Sequence, residues 1–311
     1  MNTRTVVVTG ASAGIGRALA MHLASLDHNV IAVGRNEASL LSLQNSNADK
    51  ITAVVADVTK SDDLLKIKSA IKIDTQGLIL IHNAGVAEPQ LLEGLSEEHW
   101  DKHYATNTKA PIFLTKLLMP FLENGGRVLT LSTGLAHSPM AAMSAYGVSK
   151  AAIYHWKEFC NVELASHGVL FGSVKPGVVD TRVQESLRNY DSSAFPAANV
   201  FKGFHDRGEL LAPDTVAKFL AWLVIKADDD AFTKGDWDIY DLSHRELWAN
   251  PGEIKDRESN GTSKTIPADN QVSLLNNSFF NSIRNSKYLT TAAVSTATFV
   301  AGVLITRALY K

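Results

Sequence analysis

The sequence predicts an α/β chain: a doubly wound parallel sheet of seven strands with helices on both faces, followed by a C-terminal extension. Three observations predict it. Short apolar runs recur as far as residue 242, segments of helical period separate them, and the texture turns polar past Leu247.

The runs at 5–9, 30–33, 51–56, 78–82, 127–132 and 169–175 are rich in Val, Ile and Leu and too short for helices. A strand covered on both faces needs apolar side chains on both, and that is how a parallel sheet reads. Between these runs, Ile15 to Leu26, Asp62 to Ile71, Glu97 to Leu122 and Ser144 to His167 repeat their apolar residues at helical spacing, each giving one stripe to lay on the sheet. A helix over 214–225 leads to a seventh strand at 236–242. In such a sheet ligands sit beyond the carboxyl ends of the strands, so function is sought just after each apolar run.

Residues 1–247 then form one domain. The stretch 248–288 is polar and rich in turn formers, as a linker is. The run 289–306 carries no charge over eighteen residues, with Arg284 and Lys287 before it and Arg307 and Lys311 after it. That length borders on a membrane span, and Ala293, Ala297 and Ala301 recur at the four-residue spacing of close helix packing in lipid. Two readings stay open: a tail anchor, or a helix docking on the body or on a sister subunit.

Lys plus Arg number 30 against 32 Asp plus Glu, so no basic field draws the chain to nucleic acid, and a small molecule is the expected partner. The single cysteine, Cys160, has no internal disulfide partner and lies in a helical pattern without metal-ligand spacing; no metal is expected. The first residues run straight into a strand without the pattern of a secretory leader. These features fit the cytoplasm, with attachment to a membrane through the tail as the open alternative.

The segment VVVTGASAGIGRALA ends a strand, turns through Gly10, Gly14 and Gly16 and opens a helix. Glycine allows a tight turn and close approach of backbone to a pyrophosphate, and a helix N-terminus offers unpaired N–H groups to the anion; plain steric packing is the competing reading. After the second strand comes Gly34 where an acid for the ribose diol of NAD would stand, and then Arg35, whose guanidinium suits a 2′-phosphate. This favours NADP(H), against Arg35 as a solvated loop cation. Asp57 could accept from the adenine amino group or cap the next helix.

Tyr146 and Lys150 stand at i and i+4, on one helix face. An ammonium nearby would draw the phenol down toward working pH, letting Tyr146 exchange a proton with a substrate oxygen. Ser132 and Thr133 end the strand that meets this helix at the carboxyl edge, and one of their hydroxyls would orient that oxygen. Strand alternation lets only one face the site, and Thr133 is the choice, with Ser132 in reserve.

Together these motifs resemble the short-chain dehydrogenase/reductase family, over roughly residues 3–245. TGxxxGxG spans Thr9 to Gly16 and includes Ser12 and Ile15; NAG is Asn83-Ala84-Gly85; the active-site asparagine is Asn107; YxxxK is Tyr146 to Lys150; and the PG motif is Pro176-Gly177, followed by Val179 and Thr181. The resemblance implies a Rossmann fold and hydride transfer between a nicotinamide ring and a carbonyl or alcohol carbon, with Tyr146 as acid or base. It further implies that Lys150 binds ribose hydroxyls, that Asn107 holds a water linking the lysine to solvent, and that Thr181 contacts the carboxamide. Counting thirteen back from Tyr146, where members usually carry serine, gives Thr133.

Residues 182–212 fall where the family carries its substrate lid, a surface helix pair being the plainer alternative. The PGVVDTRVQ run, Pro139 and the ending GDWDIYDLSHREL are similar to the branch of sepiapterin and benzil reductases, implying NADPH-dependent reduction of ketones or vicinal diketones. An NAD-dependent alcohol or hydroxysteroid oxidiser, and a catalytically idle NADP-binding scaffold held by its tail, are the alternatives. The resemblance also implies a homo-oligomer, built through the helices at 97–122 and 144–167. His137, His155, His167 and Asp228 to Asp230 read as surface, packing or turn residues.

Overall fold

Val6, Val7 and Val8 of β1 (Thr5–Thr9) are fully buried, the state of a strand with helices over both faces. The structure, a computed structural model, describes residues 3–249. Its sheet runs in the order β3 (Ile51–Val55), β2 (Asn29–Gly34), β1, β4 (Ile79–His82), β5 (Gly126–Leu131), β6 (Val169–Lys175) and β7 (Trp237–Asp238), with every neighbouring pair parallel. The chain winds outward from β1 to β3 and returns to β4 on the other side. The carboxyl ends of β1 and β4 therefore flank the crevice where such a sheet binds ligands.

One core joins that sheet to α1 (Gly14–Ser25), α2 (Glu37–Ser46) and α9 (Pro213–Lys226) through Leu19, Leu23, Leu40, Leu43, Leu220 and Val224. A second core, on the other side, takes in Ile67 of α3 (Ser61–Ser69), Leu114 and Leu118 of α5 (Ala110–Leu122), and Cys160 of α6 (Ser144–Glu163). Two further helices, α7 (Arg182–Arg188) and α8 (Ala198–Asp206), stand with the sequence's lid segment, and a short α10 (Asp229–Thr233) precedes β7. Asp228 caps α10 by accepting from the N–H groups of Asp230 and Ala231, and Asp229 pairs with Arg127.

Three elements differ from the sequence expectation. The helix expected over 97–122 is α4 (Glu97–Tyr104) and α5 joined by a π turn, Ala105–Lys109, a local widening common where a helix passes a functional site. The last strand keeps two residues of the expected seven, because the Asp238 carboxylate accepts the Tyr240 N–H and turns the chain. The helix α2, which no strong stripe announces, starts where the Asn36 side chain accepts from the Ser39 N–H.

Trp248, at the start of the expected linker, packs on Phe219 with ring centroids 4.8 Å apart. Among the described residues no helix is long and apolar enough to cross a membrane. The linker from residue 250 on and the apolar run at 289–306 lie outside the described residues.

Candidate active site

The glycine turn is built against β4. Gly10 (φ 70°) and Gly14 (φ 55°) adopt the left-handed backbone that glycine takes without strain. A Cβ on Gly10 would lie 2.8 Å from Asn83 Nδ2 and 2.9 Å from Ala84 Cα, so this glycine serves internal packing as well as the turn. Gly16, equally pressed by Asn83 and the Gly10 carbonyl, does the same. Asn83 Nδ2 donates to the carbonyls of Thr9 (2.8 Å) and Gly10 (3.2 Å), while the N–H groups of Asn83 and Ala84 both donate to Thr9 Oγ1 at 3.1 Å. Asn83 thus holds the turn in shape from behind, a role the motif alone does not reveal.

The start of α1 faces the crevice with neither a side-chain cap on Ala13 nor an acid in the first turn. Such an end keeps its N–H groups and positive dipole available to a phosphate. Ile15 packs on the core behind it. A Cβ on Gly34 would stand 3.3 Å from Ser12 Oγ, so the bare glycine brings the Arg35 backbone beside Ser12. Arg35 is exposed, and no hydrogen bond or ion pair among the described residues ties it down. Asp57 does not cap α3, whose N-cap is Lys60; one of its oxygens accepts from the Thr59 N–H and hydroxyl. Burial works to raise the Asp57 carboxyl, and the Thr59 bonds with the Arg35 charge outweigh it and lower the pKa overall. These residues fit a dinucleotide: an uncapped helix end for the pyrophosphate, with the exposed Arg35 guanidinium beyond β2.

Gly85 clears the next part of the crevice. A Cβ there would meet Asn107 Oδ1 at 3.2 Å and Lys150 Nζ at 3.7 Å. Asn107 lies in the π turn, buried, and its side chain is fully engaged: Oδ1 accepts from the Val86 N–H at 2.9 Å, and Nδ2 donates to the Val86 carbonyl at 2.9 Å and to Ser149 Oγ at 3.0 Å. It braces the loop after β4 against α6, one turn from Tyr146.

Tyr146 and Lys150 emerge from the first two turns of α6 on one face, as their spacing requires. Lys150 is buried, Nζ donating to the Leu131 carbonyl at 2.6 Å and lying 6.0 Å from the centre of the Tyr146 ring. Burial brings its ammonium down to about 8, against the pull of the Asp236 carboxylate. The phenol behaves unlike the sequence expectation. Desolvation pushes Tyr146 up to about 12, the Thr133 hydroxyl pulling the other way, so it holds its proton at neutral pH. Lys150 gives one of its three N–H donors to a backbone carbonyl, and the enclosure of the ring dominates the phenol's state.

Thr133 and Ser132 part as the pleat demands. Thr133 engages Tyr146, while Ser132 Oγ, buried, donates to Asp236 Oδ2 at 2.9 Å on the far side. Past β6, Pro176 and Gly177 turn the chain, Gly177 at φ 80° because a Cβ would press on Tyr240 and Leu211. Val179 turns its side chain into the core, and only its backbone is left toward the crevice. Thr181 caps α7 by accepting from the Gln184 N–H, its methyl 3.2 Å from where a Gly14 Cβ would stand.

Between Val179 and Leu211 the segment carrying α7 and α8 leaves and returns through one narrow neck, where the Asp180 N–H donates to the Leu211 carbonyl and the Leu211 N–H to the Val178 carbonyl, both at 2.9 Å. Its inner side is apolar. Leu187, Phe195, Ala197 and Ala198 are buried with Met143, and Tyr146, Met140 and Phe201 pack against them.

A family model described as short chain dehydrogenase matches residues 4–191. The chain is a short-chain dehydrogenase/reductase. As a member of this family it is an oxidoreductase with a fold that binds a nicotinamide dinucleotide. A benzil reductase ((S)-benzoin forming) of Saccharomyces cerevisiae is 31% identical over 244 residues, covering 73% of this chain and 92% of the relative. Among solved structures, a short-chain dehydrogenase/reductase of Saccharomyces cerevisiae superposes with a TM-score of 0.73 at 28% identity, covering 79% of this chain and 99% of that one. An angucycline C-6 ketoreductase with bound NADP gives 0.64 at 25% identity, covering 76% and 93%.

Sequence reasoning missed Asp236, and read His137 as a surface or packing residue without a partner. His137 Nε2 bonds Asp236 Oδ2 at 2.9 Å, and Ser173 Oγ donates to Oδ1 at 2.6 Å. The one available signal was an acid opening the last strand.

Proposed function

We propose that this short-chain dehydrogenase/reductase is an NADPH-dependent carbonyl reductase acting on bulky ketones or vicinal diketones. The observation that carries the reading is the placement of the Tyr146 phenol between the Thr133 hydroxyl and Lys150 under an apolar cover, where desolvation favours the protonated form. The dinucleotide, when bound, supplies the hydride. Thr133 donates to the substrate carbonyl and fixes it over the phenol. As that oxygen gains negative charge it becomes more basic than a phenolate, and the Tyr146 proton moves to it. Lys150, positively charged, stabilises the phenolate that remains.

Arg35 beside Ser12, with no acid at Gly34, supports the phosphorylated cofactor. The bulk of the substrate follows from Met140, Met143, Phe195 and Phe201 around the ring, and agrees with what the benzil reductase acts on. Tyr104, Phe113 and Phe159, about half exposed on α4, α5 and α6, suit the subunit contact of a homo-oligomer. Ketones, diketones and pterins assayed with NADPH and with NADH test the reading. Consumption of NADPH with benzil or a related diketone is expected, and alcohol oxidation with NAD as the sole activity would overturn it.

A further inference from the structure

Asp236 is a carboxylate with a side chain only 6% exposed, and it has collected three donors, two from the segment after β5 and one from β6. Ser132 Oγ at the end of β5 and His137 Nε2 just beyond it reach Oδ2, each at 2.9 Å; Ser173 Oγ of β6 reaches Oδ1 at 2.6 Å. The preceding residue is fixed as well. Lys157, a fully buried lysine two turns along α6 from Lys150, donates to the Gly235 carbonyl at 2.9 Å and pairs with Glu158 at 2.8 Å. A buried charge held this firmly costs desolvation that a serine or asparagine would not incur. Its charge therefore needs an account.

The tripeptide Leu131-Ser132-Thr133 supplies one. Its first residue accepts the Lys150 ammonium through its carbonyl, its third engages Tyr146, and its middle side chain is held by Asp236. Lys150 has no direct ion pair among the described residues, and the carboxylate whose field reaches it is that of Asp236. We propose that Asp236 is a positioning residue for the Tyr146–Lys150 pair, its bond to Ser132 setting the strand end whose Leu131 carbonyl takes the Lys150 ammonium and whose Thr133 engages Tyr146, and its buried carboxylate supplying the negative charge of that centre. The inference rests on the reductase reading, which gives Lys150 its task.

The titratable surroundings are few. From α6 Tyr146, Tyr154 and Lys157 face this centre, from β4 His82, and from the segment after β5 His137, stacked edge-on upon Tyr154 at 4.7 Å. His137 is the exposed member, at 39% for its side chain, and Asp236 is the carboxylate it faces. Loss of the Asp236 charge removes the carboxylate whose field reaches Lys150, so its proton is shed at lower pH.

The test is the full-length Asp236→Asn protein, which keeps shape and can still bond both serines. Trace acetylation of Lys150 against pH, read by mass spectrometry, reports its protonation without turnover. The half-labelling pH is expected to fall by about one unit, and the alkaline limb of NADPH-supported ketone reduction to move down with it. Labelling curves that coincide with the parent's overturn the proposal, as purely structural packing would leave them in place. If Asp236→Asn does not fold, Asp236→Glu keeps the charge while disturbing the serine bonds. Lys150 should then label as in the parent while the ketone KM rises, and a lowered labelling pH overturns the claim. A parent that shows the labelling behaviour but reduces no carbonyl removes the reductase reading and leaves the charge relation standing.

Discussion

Ser132 Oγ lies 2.9 Å from Asp236 Oδ2, and this bond turns Ser132 away from Tyr146 while its neighbour Thr133 faces the phenol. Two adjacent hydroxyls are thereby given different tasks by the extended chain just past β5, where side chains still alternate sides. Thr133→Ala should lower kcat/KM for ketone reduction roughly 100-fold, the loss expected when one donor to a developing oxyanion is removed. Ser132→Ala should cost less than about tenfold. The reverse order in steady-state kinetics would reassign the role.

Arg35 stands exposed past Gly34, with no acid at the position that would bind a ribose diol. Replacing it by aspartate exchanges a phosphate partner for a repelling charge. Arg35→Asp should weaken NADPH binding by about one to two orders of magnitude, the worth of a charged hydrogen bond, and leave NADH binding nearly unchanged. Fluorescence titration with both cofactors checks it; equal loss for the two would point to a general disturbance of the β2 end.

Lys150 sits in a site where burial lowers its ammonium to about 8, whereas Tyr146 stays protonated up to about 12. The sign follows from the two groups together. Reduction needs both protonated, so its rate should hold through neutral pH and fall as pH rises through about 8, when the lysine loses its charge. A reduction rate flat to about pH 10, the ordinary range of a lysine, would show that the ammonium is not needed.

His82 at the end of β4 is buried with Nε2 2.8 Å from Thr115 Oγ1, and desolvation with the Lys150 charge lowers its pKa to about 3. An unfolded histidine titrates near 6.5. The neutral ring therefore contributes stability that is complete above about pH 6.5 and is lost as pH falls toward 3. At pH 5 the loss should be about 2 kcal/mol relative to pH 7. Urea unfolding at the two pH values, with His82→Asn as the control that lacks this component, measures it.

Much of this site could be read from residue order. The apolar runs located β1 to β6 because all but the edge strand β3 are buried on both faces, and the four-residue step from Tyr146 to Lys150 guaranteed a shared helix face. What escaped is what depends on distant pairing. Ser132 and Asp236 are 104 residues apart, and β7 holds its register to β6 through only two residues, too few to leave a periodic mark. The π turn at Ala105–Lys109 widens a single turn, so the apolar stripe on either side still scans as one helix. The phenol's state escaped for another reason: desolvation by Met140, Phe201 and the lid is a property of the enclosure, whereas spacing shows only the lysine.

The central claim is that the Tyr146 proton goes to the substrate oxygen. The most direct measurement is NADPH oxidation with a diketone by Tyr146→Phe, alongside its NADPH affinity. Binding should stay within a few-fold of the parent while turnover falls about 1,000-fold, in the range a lost general acid costs. A Phe variant turning over within about tenfold of the parent would contradict the account.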